Sequence, residues 1–193
     1  MQHWTRAVAR TISAASLGRA LPGLAADRIA LCLAARTGQP VARAAAVLTT
    51  VLTDAPRAEV AALILADAVL SWALGWDHLV PLLAIGLTSR DLRLRDDDLH
   101  QACHRALVKA AGQATGLAAD LTRRAAHLRA IAPKLRAKGA EQAVALFLTQ
   151  DALAPSALDF MSDRAARRLC DRLVDLGAVR ELTGRGTFRL YGV

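Results

Sequence analysis

Four arginines crowd one short stretch of the chain: Arg164, Arg167, Arg168 and Arg172, directly after Ser162. On a helix, Ala166, Leu169, Cys170, Leu173 and Leu176 fall together on one face and leave the arginines to the others. Such a division suits recognition of a polyanion. One face anchors the helix, and the other presents planar, forked donors to guanine edges and phosphates. Ser162 is of the type that caps a helix, and the first-turn N–H groups beside it favour a phosphate oxygen. Farther on, Arg185 at the tip of a Gly-rich turn and Arg189 on the strand after it would reach a nucleic-acid backbone or minor groove. The candidate nucleic-acid-binding residues are therefore Ser162, Arg164, Arg167, Arg168, Arg172, Arg185 and Arg189.

Other constellations are weaker. His100 and His104 stand at i and i+4 on one helical face, with Asp96 and Asp97 a turn earlier, a set that could in principle hold a metal. No Glu follows His100 as it does in HExxH, so exposed polar histidines are the simpler reading. Asp67 and Asp77 lie in an apolar neighbourhood with Trp72, Trp76 and His78. Buried carboxylates do acid–base work in some enzymes, but capping is their commoner use. The chain has no Walker A, GxGxxG or GxSxG motif. Cys32, Cys103 and Cys170 are too widely spaced for a disulfide framework and point to a reducing compartment. Cys170 falls on the packing side of its helix and reads as a buried thiol. We expect no catalytic residues, no cofactor and no bound metal.

These residues have to be carried by helices. Of 193 residues, 43 are Ala and 32 are Leu, while aromatics make up 4%. That balance favours helix and argues against sandwiches, barrels and doubly wound sheets. The hydrophobic fraction of 54% supplies a core and rules out a wholly disordered chain. Periodicity predicts helices over about 25–36, 41–52, 57–74 and 78–85. A longer stripe follows, through Leu99, Cys103, Ala106, Ala110, Ala114, Leu117, Leu121, Ala125 and Leu128, with Pro133 as its end. Gly112 and Gly116 on this run would suit a close helix crossing or a kink, or are simply two weak points in the helix. After Gly139 come a helix over 141–148, a short Pro-interrupted piece over 151–160, and a helix from Ser162 to Asp175 stopped by Gly177. Residues 179–183 and 187–191 then read as two strands about the turn Gly184-Arg185-Gly186. This order is that of a winged helix-turn-helix. The expected architecture is mostly α: a helical domain over 1–137 and a small C-terminal winged helix-turn-helix with a β-hairpin wing over 138–193.

The charge is +8 overall, with 22 Arg against 3 Lys. Residues 121–193 hold 13 basic and 7 acidic side chains, and no acid occurs from Leu121 to Ala140. A basic balance of this kind favours polyanionic partners. Within 138–193, however, eight basic residues face seven acidic ones, so any positive field must come from their arrangement. The longest stretch free of Asp, Glu, Lys and Arg is His78–Ser89, too short for a membrane span. The N-terminal stretch carries Arg6, Arg10 and Arg19 and no acid before Asp27. It loosely resembles an Arg-rich transit peptide, but an amphipathic first helix is the preferred reading.

The segment SDRAARRLCDRLVDLGAVRELTGRGTFRLYGV resembles the end of bacterial winged helices, including those appended to Fic-type AMP-transferases. In these, a Leu-Gly-hydrophobic-Arg-Glu-hydrophobic-Thr-Gly-Arg run precedes the wing; here it is Leu176 to Arg185. The Fic catalytic motif, with its His-Pro-Phe start, is absent, so the resemblance implies no AMP transfer. Before the capped helix, Asp159-Phe160-Met161 lacks the common Gly, which leaves the docking angle open. A wider resemblance, through PVARAAAVLTTVLTDAPRAEVAALILADAVLSWALGWDHLVPLLA and APKLRAKGA, is to bacterial proteins of domain-of-unknown-function family 1403. That resemblance supports architecture rather than activity. Its members run longer at the N-terminus, which implies a short member whose first helices lack packing partners.

The leading expectation is a cytoplasmic protein that binds double-stranded DNA by placing Ser162–Arg172 in the major groove. Arg185, Arg189 and the basic stretch Arg123–Lys138 would add phosphate contacts, and the helical domain would form a homodimer or hold a protein partner. The alternative is a helical interaction or scaffold protein whose winged helix binds protein.

Overall fold

A computed structural model describes residues 2–34 and 38–193. Nine α-helices and one two-stranded sheet form among these residues, so the chain is mostly α. It divides into two compact units, Met1–Ala114 and Thr115–Val193. The division falls inside a helix, upstream of the 137/138 boundary expected after Pro133.

In the first unit, α1 (Gln2–Val8) and α2 (Ala14–Ala20) precede α3 (Ala26–Ala34). Ser13 caps α2 and closes a reciprocal capping box with Ser16. The expected end of the third helix, at Arg36 and Thr37, lies outside the described residues. α4 (Pro40–Asp54) starts on a proline, whose fixed φ and missing N–H suit a first helical position. It packs along α5 (Glu59–Ala73). α5 is the centre of this unit: Ala62 and every residue from Ile64 to Ser71 are buried. A helix apolar on all sides must be wrapped by others, and α3, α4 and α6 (Leu82–Gly86) contact it. α6 begins only after Pro81, because the ring removes a donor and clashes with a preceding turn. The first two helices do not lack partners: Ala7, Leu17 and Ala20 are buried in the same core as Leu48, Leu65 and Leu83.

Two buried polar side chains on α5 hold the return of the chain. The Asp67 carboxylate accepts N–H bonds from Leu83 (2.7 Å) and Ala84 (3.1 Å), and Ser71 Oγ accepts one from Val80 (3.0 Å). The first turn of α6 is thus satisfied from a neighbouring helix. Burial pushes the Asp67 carboxyl up to about 7. Asp77 is exposed, so the two acids do not form a buried pair.

α7 runs from Asp96 to Ile131, beginning on three aspartates that suit the positive end of its dipole. Its apolar stripe is not buried along its whole length. Leu99, Cys103, Ala106 and Ala110 belong to the core of the first unit, and Leu128 and Ile131 to that of the second. Ala114, Leu117 and Leu121 between them are exposed. A Cβ on Gly112 or Gly116 would meet nothing within 4 Å, so neither marks a close crossing. The close approach is at Gly86, where a Cβ would stand 2.4 Å from the Ala106 carbonyl oxygen.

In the second unit, α8 (Ala140–Thr149) and α9 (Asp163–Asp175) flank a short 3₁₀ turn at Pro155–Ala157. Phe147 is the largest fully buried side chain in this core, packed with Val144, Leu158, Leu169 and Leu173. Strands β1 (Arg180–Glu181) and β2 (Tyr191–Gly192) pair antiparallel, and Leu182 N–H extends the ladder to the Leu190 carbonyl at 2.7 Å. Leu153 pairs with the other edge of Tyr191 through two N–H···O bonds of 2.8 and 2.9 Å. Tyr191 therefore lies between Leu153 and Glu181. The strands are shorter than the sequence pattern suggests. Phe188 sits at φ 56°, a left-handed backbone that breaks a pleat, and residues 182–190 form one long turn.

Candidate nucleic-acid interface

α9 is built as its pattern requires. Ser162 caps it by accepting the Ala165 N–H (3.4 Å), and Gly177 follows its end at φ 66°, where an L side chain would be strained. Ala166, Leu169, Cys170 and Leu173 are buried beneath it. From α7, His127 Nε2 lies 3.0 Å from the Leu176 carbonyl oxygen and so occupies one acceptor at the end of α9. The helix is held along its inner face and at both ends.

The outward side carries two rows of different electrostatic character. Arg164, Arg168 and Arg172 follow one another at i, i+4 and i+8, and all are exposed. None of them makes an ion pair among the described residues. The adjacent row, Asp163, Arg167 and Asp171, runs parallel, turned by about 100°. There Arg167 bonds Asp163 at 3.0 Å. Asp171 lies 3.9 Å from Arg189, which is equally close to Glu181. The Tyr191 phenol, with these acids, raises the Arg189 guanidinium above its ordinary value. This second row lines a cleft of about 600 Å³ with Pro155, Phe188 and Tyr191.

The seven residues singled out from the sequence thus separate. Arg164, Arg168 and Arg172 share one free face. Arg185 is exposed in the turn and also free of carboxylates among the described residues. Arg167 and Arg189 are matched by acids, and the Ser162 hydroxyl is engaged as a cap. In the upstream basic stretch, Arg123 and Arg124 both bond Asp120, at 3.2 and 2.8 Å. Arg129, Lys134, Arg136 and Lys138 carry no such pair among the described residues.

Sequence reasoning passed over Phe188, which is 91% exposed at the lip of the cleft. Its position between Gly186 and Arg189, read as strand, hid the left-handed turn that turns the ring outward. The other candidate centres do not assemble. His100 and His104 stack edge-to-face with ring centroids 4.7 Å apart. No group of three or more metal-ligating side chains occurs among the described residues. Burial pushes the Cys103 and Cys170 thiols up to about 11, away from nucleophilic use. No helix among the described residues is long and apolar enough to cross a membrane.

Across known proteins, a family model described as "Protein of unknown function (DUF1403)" matches residues 2–193. No curated protein and no solved structure matches the chain.

Proposed function

The chain belongs to the DUF1403 family of proteins of unknown function, which brings no activity with it, and we propose from the geometry of its second unit that it binds double-stranded DNA through a winged helix-turn-helix. The order of α8, Leu153, the 3₁₀ turn, α9, β1 and β2 supports a winged helix, with Tyr191 paired on one side to Leu153 and on the other to Glu181. The likeness of Leu176–Arg185 to the run before the wing in Fic-appended domains agrees with it.

The observation that carries the functional reading is the row Arg164, Arg168 and Arg172. Three guanidiniums without acidic partners among the described residues, on the outer face of a helix anchored along its opposite side, suit phosphates and guanine edges in a major groove. Arg185 in the long turn would hold the flanking backbone. Ser162 serves by fixing the start of α9, and Arg167 and Arg189 serve by shaping its second row rather than by meeting phosphate. Such a protein would work in the cytoplasm, and the helical unit would supply self-association or a partner surface.

A second reading rests on the other row. The charge-matched cleft beside the exposed Phe188 suits a protein segment better than a polyanion, and winged helices serve both ends.

Fluorescence anisotropy with random-sequence duplex DNA over a salt series separates the two. Phosphate contacts by Arg164, Arg168, Arg172 and Arg185 give a log–log slope of about −3.6, or ~150-fold weaker binding between about 50 and 200 mM salt. The R164A/R168A variant should lose about half that slope, while R167A leaves it nearly unchanged. Absence of binding at the lowest salt, with the protein folded, would sink the DNA reading and favour the protein-binding one.

A further inference from the structure

The three arginines that open the chain are used neither by the core nor by the candidate interface. Arg6 lies in the last turn of α1, Arg10 two residues beyond its end, and Arg19 in the last turn of α2. The fold turns all three toward one cavity of about 350 Å³, walled also by Ser16 and Ala20. No carboxylate among the described residues lines it, and none occurs in the sequence before Asp27. Among the described residues none of the three makes an ion pair.

The walls are tied by burial and hydrogen bonds. Ala20 is fully buried, and Ser16 Oγ donates to the Thr11 carbonyl at 2.7 Å while accepting the Ser13 N–H at 3.1 Å. His3 Nδ1 lies 2.8 Å from the Ala20 carbonyl oxygen, so α1 and the end of α2 are also joined by a polar contact. Cations near helix C-termini complement the dipole, which accounts for Arg6 and Arg19 taken singly. It does not account for Arg10, which lies outside α1, or for like charges gathered around one hollow. Convergence of guanidiniums is the arrangement that recognises tetrahedral oxyanions, because each supplies a planar fork of donors.

We infer that Arg6, Arg10 and Arg19 form an anion site that takes a diphosphate group. Three positive charges match the charge of a diphosphate near neutral pH, and the cavity has room for such a group. The site is separate from the row on α9 and stands whether or not that row meets DNA.

The test is calorimetric titration of the full chain with pyrophosphate at low salt, with sulfate at matched ionic strength as the reference. Pyrophosphate should bind at least ten-fold more tightly than sulfate. Each single Arg→Ala change should weaken it about ten-fold, and R6A/R10A/R19A should abolish it. The R6K/R10K/R19K variant keeps the charge and loses the forks, so it should bind measurably but more weakly than wild type. R164A/R168A/R172A should bind pyrophosphate as wild type does, which keeps this result apart from any failure of the DNA reading. Displacement by duplex DNA would assign the phosphates to a nucleic-acid backbone, and its absence to a free diphosphate compound. An unchanged titration in R6A/R10A/R19A, or no preference for pyrophosphate over sulfate, would overturn the site.

Discussion

Asp67 offers the most exacting test of the first unit. Its carboxyl is fully buried on α5 and caps the first turn of α6. An aspartate in an unfolded chain titrates near 3.8, whereas burial carries this one to about 7. Below about pH 4 both states hold the proton. Between about pH 4 and 7 the unfolded chain has released it and the folded chain still holds it. Folding therefore takes up a proton in this window, and stability falls as pH rises, by up to about 1.4 kcal/mol per unit. Over the whole window the loss is about 4 kcal/mol, and above about pH 7 it stays constant.

Two substitutions isolate this effect. Asp67→Asn has no proton to exchange and keeps an acceptor for the Leu83 N–H. Asp67→Ala leaves the Leu83 and Ala84 N–H groups without their partner, at a cost of about 2–3 kcal/mol. Trp4, Trp72 and Trp76 are the only tryptophans and all lie in the first unit, so intrinsic fluorescence in a urea series reports its unfolding selectively. At about pH 4.5 wild type should be more stable than Asp67→Ala, and by about pH 8 most of that gap should close or reverse. Subtracting the Asp67→Asn profile removes every titration the two proteins share. Parallel profiles for wild type and both variants across the window would refute the assignment and show a carboxylate charged throughout.

Three further outcomes follow from close contacts and thiol burial. Gly86→Ala sets a Cβ 2.4 Å from the backbone of Ala106; overpacking of α6 on α7 should cost about 1–3 kcal/mol, read in the same urea series. At Gly192 a Cβ would stand 2.6 Å from the Asp151 carbonyl oxygen, so Gly192→Ala should loosen the pairing of Leu153 with Tyr191. Faster amide exchange at Leu153 and Tyr191, with the first unit unaffected, checks it. Among the cysteines, half-buried Cys32 should react with a thiol reagent first, since Cys103 and Cys170 are buried and held near 11; simultaneous modification of all three in the folded protein would contradict that order.

The elements were legible where a local rule decides them. Ser162, Asp175 and Gly177 bound α9 as capping and chirality require, whereas the helix expected over 78–85 begins only after Pro81. What periodicity could not say is how far a stripe is covered. Leu117 and Leu121 continue the pattern of α7 as faithfully as Leu99 does, but burial depends on what packs opposite, and that comes from distant sequence. The glycines make the same point. Gly112 and Gly116 have the spacing of a crossing, but a Cβ on either would meet nothing within 4 Å, while Gly86, alone in its segment, carries the tight contact.

The arginines show why composition is a poor guide to an interface. Arg167 and Arg168 are neighbours in sequence and identical in chemistry. One residue of helical rotation places Arg167 over Asp163 and leaves Arg168 between Arg164 and Arg172. The i, i+4 pairing of Arg167 with Asp163 could be read from spacing. The approach of Arg189 to Asp171 could not, because it depends on the long turn folding back along α9. Eight basic and seven acidic residues nearly cancel over 138–193. They do not cancel evenly in space: Asp163 and Asp171 stand with Arg167 on the cleft row, while Arg164, Arg168 and Arg172 on the neighbouring row make no ion pair among the described residues. It is this segregation, rather than the +8 of the whole chain, that a polyanion would meet.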